Sequence, residues 1–364
     1  MMKLKVYIKS LFVIFICLFP TTILASDQEE IYKGRIIKSN VVSCGEFTDV
    51  EDFNCLSYDV EILEGEYEGQ LIETMPTWLQ TSDGTFVDDS KVYLSLMQDY
   101  EGNDVWSVQS YSRENSLLFL FLIFVVLIIV ITGIRGLRAT IGLAISFLIL
   151  YFFAVPRVSS GEGIFLIAVL TLGVLLVAST FITYGFNTKS LIAFVSTFFG
   201  ISIIALLGYS VISWLNISGL GEESSAMFAE SVVGGIQLSS VFLFSIVIGA
   251  LGVLDDVTVG QASSMIEIYE TDKSLSPNQL FKKSMNIGRD HIASMVNTLF
   301  IAYAGSSFTL IMLLSVSSPD FRVLINTGFV VEEIVRTLVA SIGLILVVPL
   351  CAFLASRIIV RVLK

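Results

Sequence analysis

The sequence has few charged residues and few of the side chains on which enzyme chemistry depends. Of its 364 residues only 15% are charged, whereas 54% are hydrophobic, and an ordinary soluble domain has roughly 25% charged residues. It contains one histidine, which excludes a multi-histidine zinc site. It also lacks a phosphate-binding Gly-Lys-Ser/Thr loop and a His-Glu-x-x-His run. We therefore expect a protein surrounded by membrane lipid, with no enzymatic activity, no cofactor and no nucleic-acid partner.

The N terminus has the pattern of an export signal. The chain opens with the basic stretch MMKLKVYIKS, followed by a short apolar run and small residues near Ala25. This arrangement is typical of a secretory signal peptide, and an uncleaved membrane anchor is the alternative for residues 1–26. Either segment would export the residues that follow. The net charge of −12 comes from those residues, 27–115, which are strongly acidic.

Residues 27–115 are predicted to form a small all-β domain outside the cytoplasm. Short β-rich runs separated by Gly, Asp and Ser turns indicate a barrel or sandwich of about five or six strands, and we expect an OB-like barrel. The runs are IYKGRIIKS, YDVEILEGE, GQLIETM and KVYLSLMQ. Cys44 and Cys55 lie close together in this segment. A disulfide between them is expected in an oxidising compartment, and two buried thiols are the alternative.

Residues 116–364 are predicted to form an all-α membrane bundle. Apolar blocks of about 20 residues match the length that a bilayer core requires. They predict about seven transmembrane helices, near residues 117–134, 139–155, 163–183, 191–213, 236–254, 293–315 and 335–356. Lys and Arg are concentrated in alternate connections, including those at Arg135, Lys189 and Lys282. By the positive-inside rule the β domain is outside and the C terminus is cytoplasmic.

Two neighbouring carboxylates, Asp255 and Asp256, directly follow the fifth apolar block in the stretch GVLDDVTVG. If the helix continues, its side chains divide into two polar edges. One edge contains Asp256, Gly260, Ser263 and Ser264, and the other contains Asp255, Thr258 and Ala262. If the helix instead ends at Leu254, both carboxylates lie in the headgroup layer as a solvated helix end. The longest predicted cytoplasmic connection is then 255–292.

A second polar stripe follows Ser276-Pro277, which predicts a helix start. It contains Asn286, Asp290, Ser294 and Asn297 at helical spacing. We expect the two stripes to meet in a hydrated pocket. Carboxylate and amide oxygens suit a hard cation, and a partly desolvated carboxylate suits proton binding. The candidate ion or substrate site is Asp255, Asp256, Gln261, Ser263, Arg289, Asp290 and Asn297, with Arg289 as the counter-charge.

A third polar cluster, Glu332, Glu333 and Arg336, begins the last span at the opposite side of the membrane. Glu332 and Arg336 have the i, i+4 spacing of a helical ion pair. Carboxylates in a first helical turn are also favoured by the helix dipole. A structural role and a functional role are therefore both open for this cluster. No pattern in the sequence identifies a metal.

Three stretches resemble the signature blocks of the YibE/F family of bacterial multipass membrane proteins. They are GALGVLDDVTVGQASSM at 249–265, IGRDHIASMVNTLFIAYAGSS at 287–307 and EEIVRTLVASIGLILVVPL at 332–350. The exported domain makes the chain similar to the YibE-like branch. The resemblance implies a bacterial cell membrane location and a hetero-oligomer with a YibF-like protein. His291 and Gly328 depart from the family pattern. Gly328 argues against a functional site on the outer side of the membrane at the segment NTG, residues 326–328.

Two functions fit these patterns. The first is a permease or transporter-like subunit whose carboxylates and amides form a polar site near the cytoplasmic side. The second is a non-transporting membrane component of an envelope or export complex, whose acidic β domain binds an extracytoplasmic partner. In the second case the polar residues of the bundle serve only helix packing.

Overall fold

The computed structural model describes residues 30–43, 54–74, 77–78, 85–98, 102–221, 237–317 and 320–363. The described chain divides into two compact units, with the boundary between Ile128 and Ile129. The first unit contains an antiparallel sheet, and the second contains a bundle of long helices.

The expected N-terminal sheet is confirmed. Its strands follow one another in the order β3-β2-β1-β5-β6, and β4 pairs with β2. The strands are β1 (Ile31–Ser43), β2 (Asn54–Ile62), β3 (Leu71–Glu73), β4 (Thr77–Trp78), β5 (Lys91–Gln98) and β6 (Asp104–Tyr111). Strand β6 was not among the predicted runs, because its sequence DVWSVQSY is half polar.

The core of the sheet is formed by side chains that alternate along the strands. Ile36, Tyr58 and Leu94 come from three adjacent strands and are at most 1% exposed, as expected where one face of each strand is buried. The Tyr58 hydroxyl accepts a hydrogen bond of 3.2 Å from the backbone N–H of Phe86. Burial raises the pKa of Tyr58, so the phenol stays neutral. This bond ties the segment before β5 to the centre of the sheet.

The two edges of the sheet approach each other. Thr74, which follows β3, forms a parallel bridge with Trp106 in β6. Trp106 also contacts Tyr32 and Tyr67 in edge-to-face ring pairs with centroids 5.2 and 5.4 Å apart. The sheet therefore curls towards closure, which removes exposed strand edges. The OB-like identity of the domain remains a prediction.

From Glu114 onward the described chain consists mainly of helices, and the boundary between the two units falls within the first of them. The helices are α1 (Glu114–Thr132), α2 (Ile134–Ser159), α3 (Ile164–Ile182), α4 (Thr188–Leu215), α5 (Leu238–Thr271), α6 (Pro277–Ser306), α7 (Phe308–Ser317), α8 (Phe321–Asn326) and α9 (Gly328–Val362). Within α2 and α3 the backbone is π-helical over Leu150–Ala154 and Ala178–Ile182.

In the described chain, six helices are long and apolar enough to cross a membrane: α1, α2, α3, α4, α5 and α9. They coincide with six of the seven predicted spans. The remaining predicted span, 293–315, is not a single helix, because α6 ends at Ser306 and α7 begins at Phe308. The polar residues in the middle of α6 also lower its apolar content. The count of seven is therefore not confirmed.

The connection predicted over 255–292 is a helical hairpin rather than a loop. Helix α5 continues to Thr271, and Ser276 caps the start of α6 with a capping box and Pro277 in the first turn. Between them Asp272 accepts hydrogen bonds from the backbone and hydroxyl of Ser274, which lowers the pKa of Asp272. The helix continues because Met265 and Tyr269 are buried, at most 1% exposed, in an apolar cluster. The prediction of a helix start at Ser276 is confirmed.

The centre of the bundle consists of α4, α5 and α9 packed at short distance. A Cβ atom added to Gly343 in α9 would lie 2.1 Å from Ile204 Cγ1 in α4, and one added to Gly200 would lie 2.7 Å from Val347 Cγ2. Glycine at these positions lets the helix backbones approach closely, as in other membrane helix pairs. This packing fixes the rotation of each helix, and therefore determines which polar residues of α5 face inward.

Candidate functional site

Asp255, in the middle of α5, carries a buried carboxylate. Its side chain is 6% exposed. The Thr180 hydroxyl of α3 donates a hydrogen bond of 2.9 Å to Asp255 Oδ1. Thr180 is itself fully buried, at 0% exposure. An acidic side chain is almost never buried without a partner, and here the partner comes from a different helix.

Thr180 lies in the π-helical stretch of α3, Ala178–Ile182. A π-helical turn contains an extra residue and is common at functional sites. In this stretch Ala178, Thr180 and Phe181 are buried. The π-helical stretch therefore includes the hydroxyl that contacts the Asp255 carboxylate.

The polar side of α5 continues from Asp255 towards the C-terminal end of the helix with Thr258 and Gln261, at i+3 and i+6. The Thr258 hydroxyl is 2.8 Å from the Thr197 hydroxyl of α4 and donates 3.1 Å to the Asp255 carbonyl. Gln261 Nε2 donates to the carbonyl of Ser284 in α6 at 3.2 Å and also contacts its hydroxyl. The side chains of the buried polar row of α5, which consists of Asp255, Thr258 and Gln261, thus form hydrogen bonds with three other helices, α3, α4 and α6.

The depth of Asp255 follows from the neighbouring helix α9. The Cys351 thiol of α9 donates 3.6 Å to the Thr258 carbonyl, and Arg336 of α9 lies over the Phe242 ring at 5.5 Å. The two helices therefore run side by side in the same direction. These contacts place Asp255 level with a residue of α9 about nine positions before Arg357, which is roughly 14 Å along the helix. If the charged Arg357 marks the edge of a hydrocarbon core about 30 Å thick, Asp255 lies inside that core.

The structure divides the predicted ion site. Asp255 and Gln261 are buried, Ser263 is half-buried, and Asp256, Arg289, Asp290 and Asn297 are exposed. In the described contacts Asp255 pairs with Thr180, whereas Arg289 Nη1 donates 3.4 Å to Asn286 on its own helix. The described contacts therefore do not join Arg289, Asp290 or Asn297 to Asp255, and these α6 residues are exposed because α6 packs on α9 with its opposite side. A hydrated pocket shared by the α5 and α6 stripes stays a prediction.

The two predicted edges of α5 differ in burial. The edge with Asp256, Gly260, Ser263 and Ser264 is exposed or half-buried, while the edge with Asp255, Thr258 and Ala262 is buried. Sequence reasoning missed Thr180 and Thr197 altogether. Both lie inside apolar blocks, where threonine usually bonds its own helix backbone, so the only available signal was their polarity within a span.

The cluster predicted at the other end of the bundle is also buried. Glu332 and Glu333 are 3% and 9% exposed. Glu332 Oε1 accepts a hydrogen bond of 3.0 Å from the Gly221 N–H, and a Cβ on Gly221 would lie 2.7 Å from the Glu332 carboxyl carbon. Arg336 Nε lies 3.7 Å from Glu333 Oε2, an i, i+3 ion pair. The cluster thus joins the end of the α4–α5 connection to α9.

One part of that prediction was wrong. Helix α9 begins at Gly328, so its first turn contains no acidic residue, and Glu332 and Glu333 lie in the second turn. The helix dipole acts mainly within the first turn. These carboxylates are therefore held by the Gly221 N–H and by Arg336 rather than by the helix terminus.

Two further expectations concern cysteine and metal chemistry. Cys55 is disulfide-bonded, and Cys44, its predicted partner, lies outside the described residues, so the pairing stays a prediction. Cys351 is a free, buried thiol. Among the residues that the structure describes, no group of three His, Cys, Asp or Glu side chains is arranged to hold a metal ion.

Comparison with known proteins gives one result. No curated protein matches the chain, and no solved structure matches it. A family model described as YibE/F-like protein matches residues 120–361, which covers all the helices of the site from α2 to α9. The chain therefore belongs to the YibE/F family.

Proposed function

We propose that the helical bundle is a permease-like subunit in which the Asp255 carboxylate binds a proton or a hard cation during transport. The proposal rests on one observation: a carboxylate that is 6% exposed lies at membrane depth with a neutral hydroxyl as its hydrogen-bond partner. Ionisable residues inside a membrane are expensive and usually mark ion pathways.

The chemistry follows from the cost of burying charge. Within the described residues no Lys or Arg forms an ion pair with Asp255, so the closed bundle requires a proton or a cation to neutralise the carboxylate. The Thr180 hydroxyl orients the carboxylate, and Thr258 and Thr197 supply further oxygen atoms of the kind that hard cations bind. Releasing the ion requires water to reach Asp255 from one side of the membrane.

We also propose that the β domain is extracytoplasmic and the C terminus cytoplasmic. This requires an odd number of crossings after the β domain, and α6 with α7 would supply the seventh. Two contacts support that path: Gly288 of α6 lies against Val348 of α9, and Tyr303 of α6 lies against Gly249 of α5. The distribution of Lys and Arg favours the same orientation.

For the β domain we propose an OB-like barrel that binds an extracytoplasmic partner. The strand order β3-β2-β1-β5-β6, with a parallel bridge between Thr74 and Trp106, supports the barrel. The acidic composition of residues 27–115 favours a partner with a basic surface. A hetero-oligomer with a YibF-like protein, which rests on the family resemblance, is part of the same proposal.

The proposal is tested with full-length protein reconstituted in liposomes. Proton flux is measured with an internal pH dye under an imposed pH gradient, and cation flux with imposed Na⁺ or K⁺ gradients. We expect Asp255→Asn to abolish flux. Asp256→Asn, which changes the neighbouring but exposed carboxylate, should retain it. Equal flux in the parent and Asp255→Asn, or no flux in the parent under any of these gradients, would reject transport and favour the non-transporting subunit.

A further inference from the structure

Helix α6 presents an exposed polar surface that the site at Asp255 does not use. The residues Asn286, Asp290, Ala293 and Asn297 follow one another at intervals of about four, three and four residues, and all are exposed. This spacing places them along one line of the helix, as in the contact seam of two paired helices. We call these four residues, with the adjacent Arg289, the α6 polar face.

The α6 polar face lies at membrane depth. A Cβ atom on Gly288, next to Arg289, would be 2.8 Å from Val348 Cγ1 in α9. Val348 precedes Arg357 by about nine residues, or roughly 14 Å along the helix. Farther along α6, Phe300 and Ile301 are both 61% exposed, as lipid-facing side chains are. Lipid tails offer no hydrogen bonds. The charged and amide groups of the α6 polar face therefore need hydrogen-bond partners from protein or water.

The described helices of the same chain do not pack against the α6 polar face. The buried residues of α6 are Leu280, Ser284, Gly288 and Leu299, and they lie on the side of the helix opposite to the α6 polar face. That buried side packs on α5 and α9, with Ser284 bonded to Gln261. The polar face therefore points away from the described helices of its own chain.

We propose that the α6 polar face packs against the same face of a second copy of this chain. The face contains one positive and one negative charge at neighbouring positions, Arg289 and Asp290. A two-fold axis along the membrane normal brings equal depths together, so that Asp290 of each copy lies near the axis, where Arg289 of the other copy flanks it and offsets the approach of the two carboxylates. A partner with charge of one sign would neutralise only half of the face.

The uncharged residues of the seam fit the same arrangement. Asparagine at a core position of paired helices fixes their register, and Asn297 would meet its equivalent across the two-fold axis. Ala293 lies at the centre of the seam, where a small side chain lets membrane helices approach closely. This inference concerns assembly and does not depend on transport by Asp255.

The first test is cysteine cross-linking of the full-length protein in native membranes. Ala293→Cys should give a homodimer when treated with a short bis-maleimide. Ala302→Cys is the matched control, because it is an exposed alanine of the same helix that lies well to one side of the seam. We expect cross-linked dimer from Ala293→Cys and little from Ala302→Cys.

The second test exchanges the charges in the Ala293→Cys background. Arg289→Asp alone and Asp290→Arg alone place like charges together and should lower dimer formation by about tenfold, the change produced by ~1.4 kcal/mol. The double exchange R289D/D290R should restore it. Co-expression of two differently tagged chains, one with each single change, should give mixed dimers at the parent level. Mixed dimers at the parent level show that both single variants are folded.

Three results would overturn the proposal. The first is labelling of Ala293→Cys by a membrane-impermeant maleimide without cross-linking, which would mean a hydrated cleft. The second is cross-linking of Ala293→Cys only to a different protein. The third is dimer formation that neither charge exchange alters.

Discussion

Thr180 and Asp255, separated by 75 residues in the sequence, are joined by a hydrogen bond of 2.9 Å between hydroxyl and carboxylate. The bond connects the π-helical stretch of α3 to the centre of α5. Through this bond the π-helical stretch of α3 contributes directly to the surroundings of the buried carboxylate. Removing the bond therefore tests both the packing of α3 and the role of Asp255.

We expect Thr180→Val to destabilise the folded protein, because the Asp255 oxygen loses its donor while the volume of the side chain is kept. An unsatisfied buried polar group costs about 1–3 kcal/mol. Thr180→Ser retains the hydroxyl and should be closer to the parent. Thermal unfolding of the full-length protein in detergent measures both, and equal stability of the two variants would show that the bond is unimportant.

A second prediction concerns the contact between α4 and α9. Gly343→Ala places a Cβ 2.1 Å from Ile204 Cγ1, so the helices must separate, at a cost of about 1–3 kcal/mol. The control is Gly252→Ala, where nothing lies within 4 Å of the added Cβ. We expect a lower melting temperature for the first variant and no loss for the second. Because Ile204→Ala leaves a cavity of its own, the coupling is measured in that background: Gly343→Ala should cost less there than in the parent protein, and an equal cost in both would argue against this contact.

The third prediction addresses the buried Glu332. A Cβ on Gly221 would lie 2.7 Å from the carboxyl carbon of Glu332 and 2.8 Å from the Phe329 N atom. Gly221→Ala should therefore displace the carboxylate from its N–H donor and expose the loop to added protease. Gly163→Ala, a loop glycine with nothing within 4 Å of the added Cβ, is the control. Unchanged proteolysis in Gly221→Ala would mean that the Gly221–Glu332 contact does not hold the loop.

The fourth prediction concerns the β domain. Tyr58→Phe removes the acceptor of the buried Phe86 N–H, which is 3.2 Å from the hydroxyl, and should cost about 1–3 kcal/mol. Tyr111→Phe removes a hydroxyl that accepts from Val87 N–H at 3.1 Å and donates to the Thr85 carbonyl at 3.0 Å, both at the surface, where water can replace the lost partner. Urea unfolding followed by tryptophan fluorescence should show a larger loss for Tyr58→Phe. The reverse order would place the structural anchor at Tyr111.

Several features of the fold could be predicted from local sequence because local physics determines them. Six of the seven predicted apolar blocks coincide with long helices, since block length and composition decide whether a segment suits a bilayer. The start of α6 was evident from Ser276-Pro277, because capping depends on adjacent residues. Strand β5 coincides with the run KVYLSLMQ. The split of the 293–315 block at Ser307 was not predicted, although Gly305 stands just before it, because a single glycine is also tolerated inside a membrane helix.

The candidate site depended on information that the sequence does not contain. Asp255 and Asp256 are neighbours of the same type, but successive side chains on a helix differ in direction by about 100°. Which of them is buried depends on the rotation of α5, and that rotation is set by its packing against α4 and α9. The sequence by itself determined a chain of long apolar helices suited to a membrane, and it predicted an N-terminal β domain that is exported. Only the tertiary structure decided that Asp255 meets Thr180 and that Arg289 and Asp290 face outward, because both outcomes depend on contacts between segments far apart in the chain.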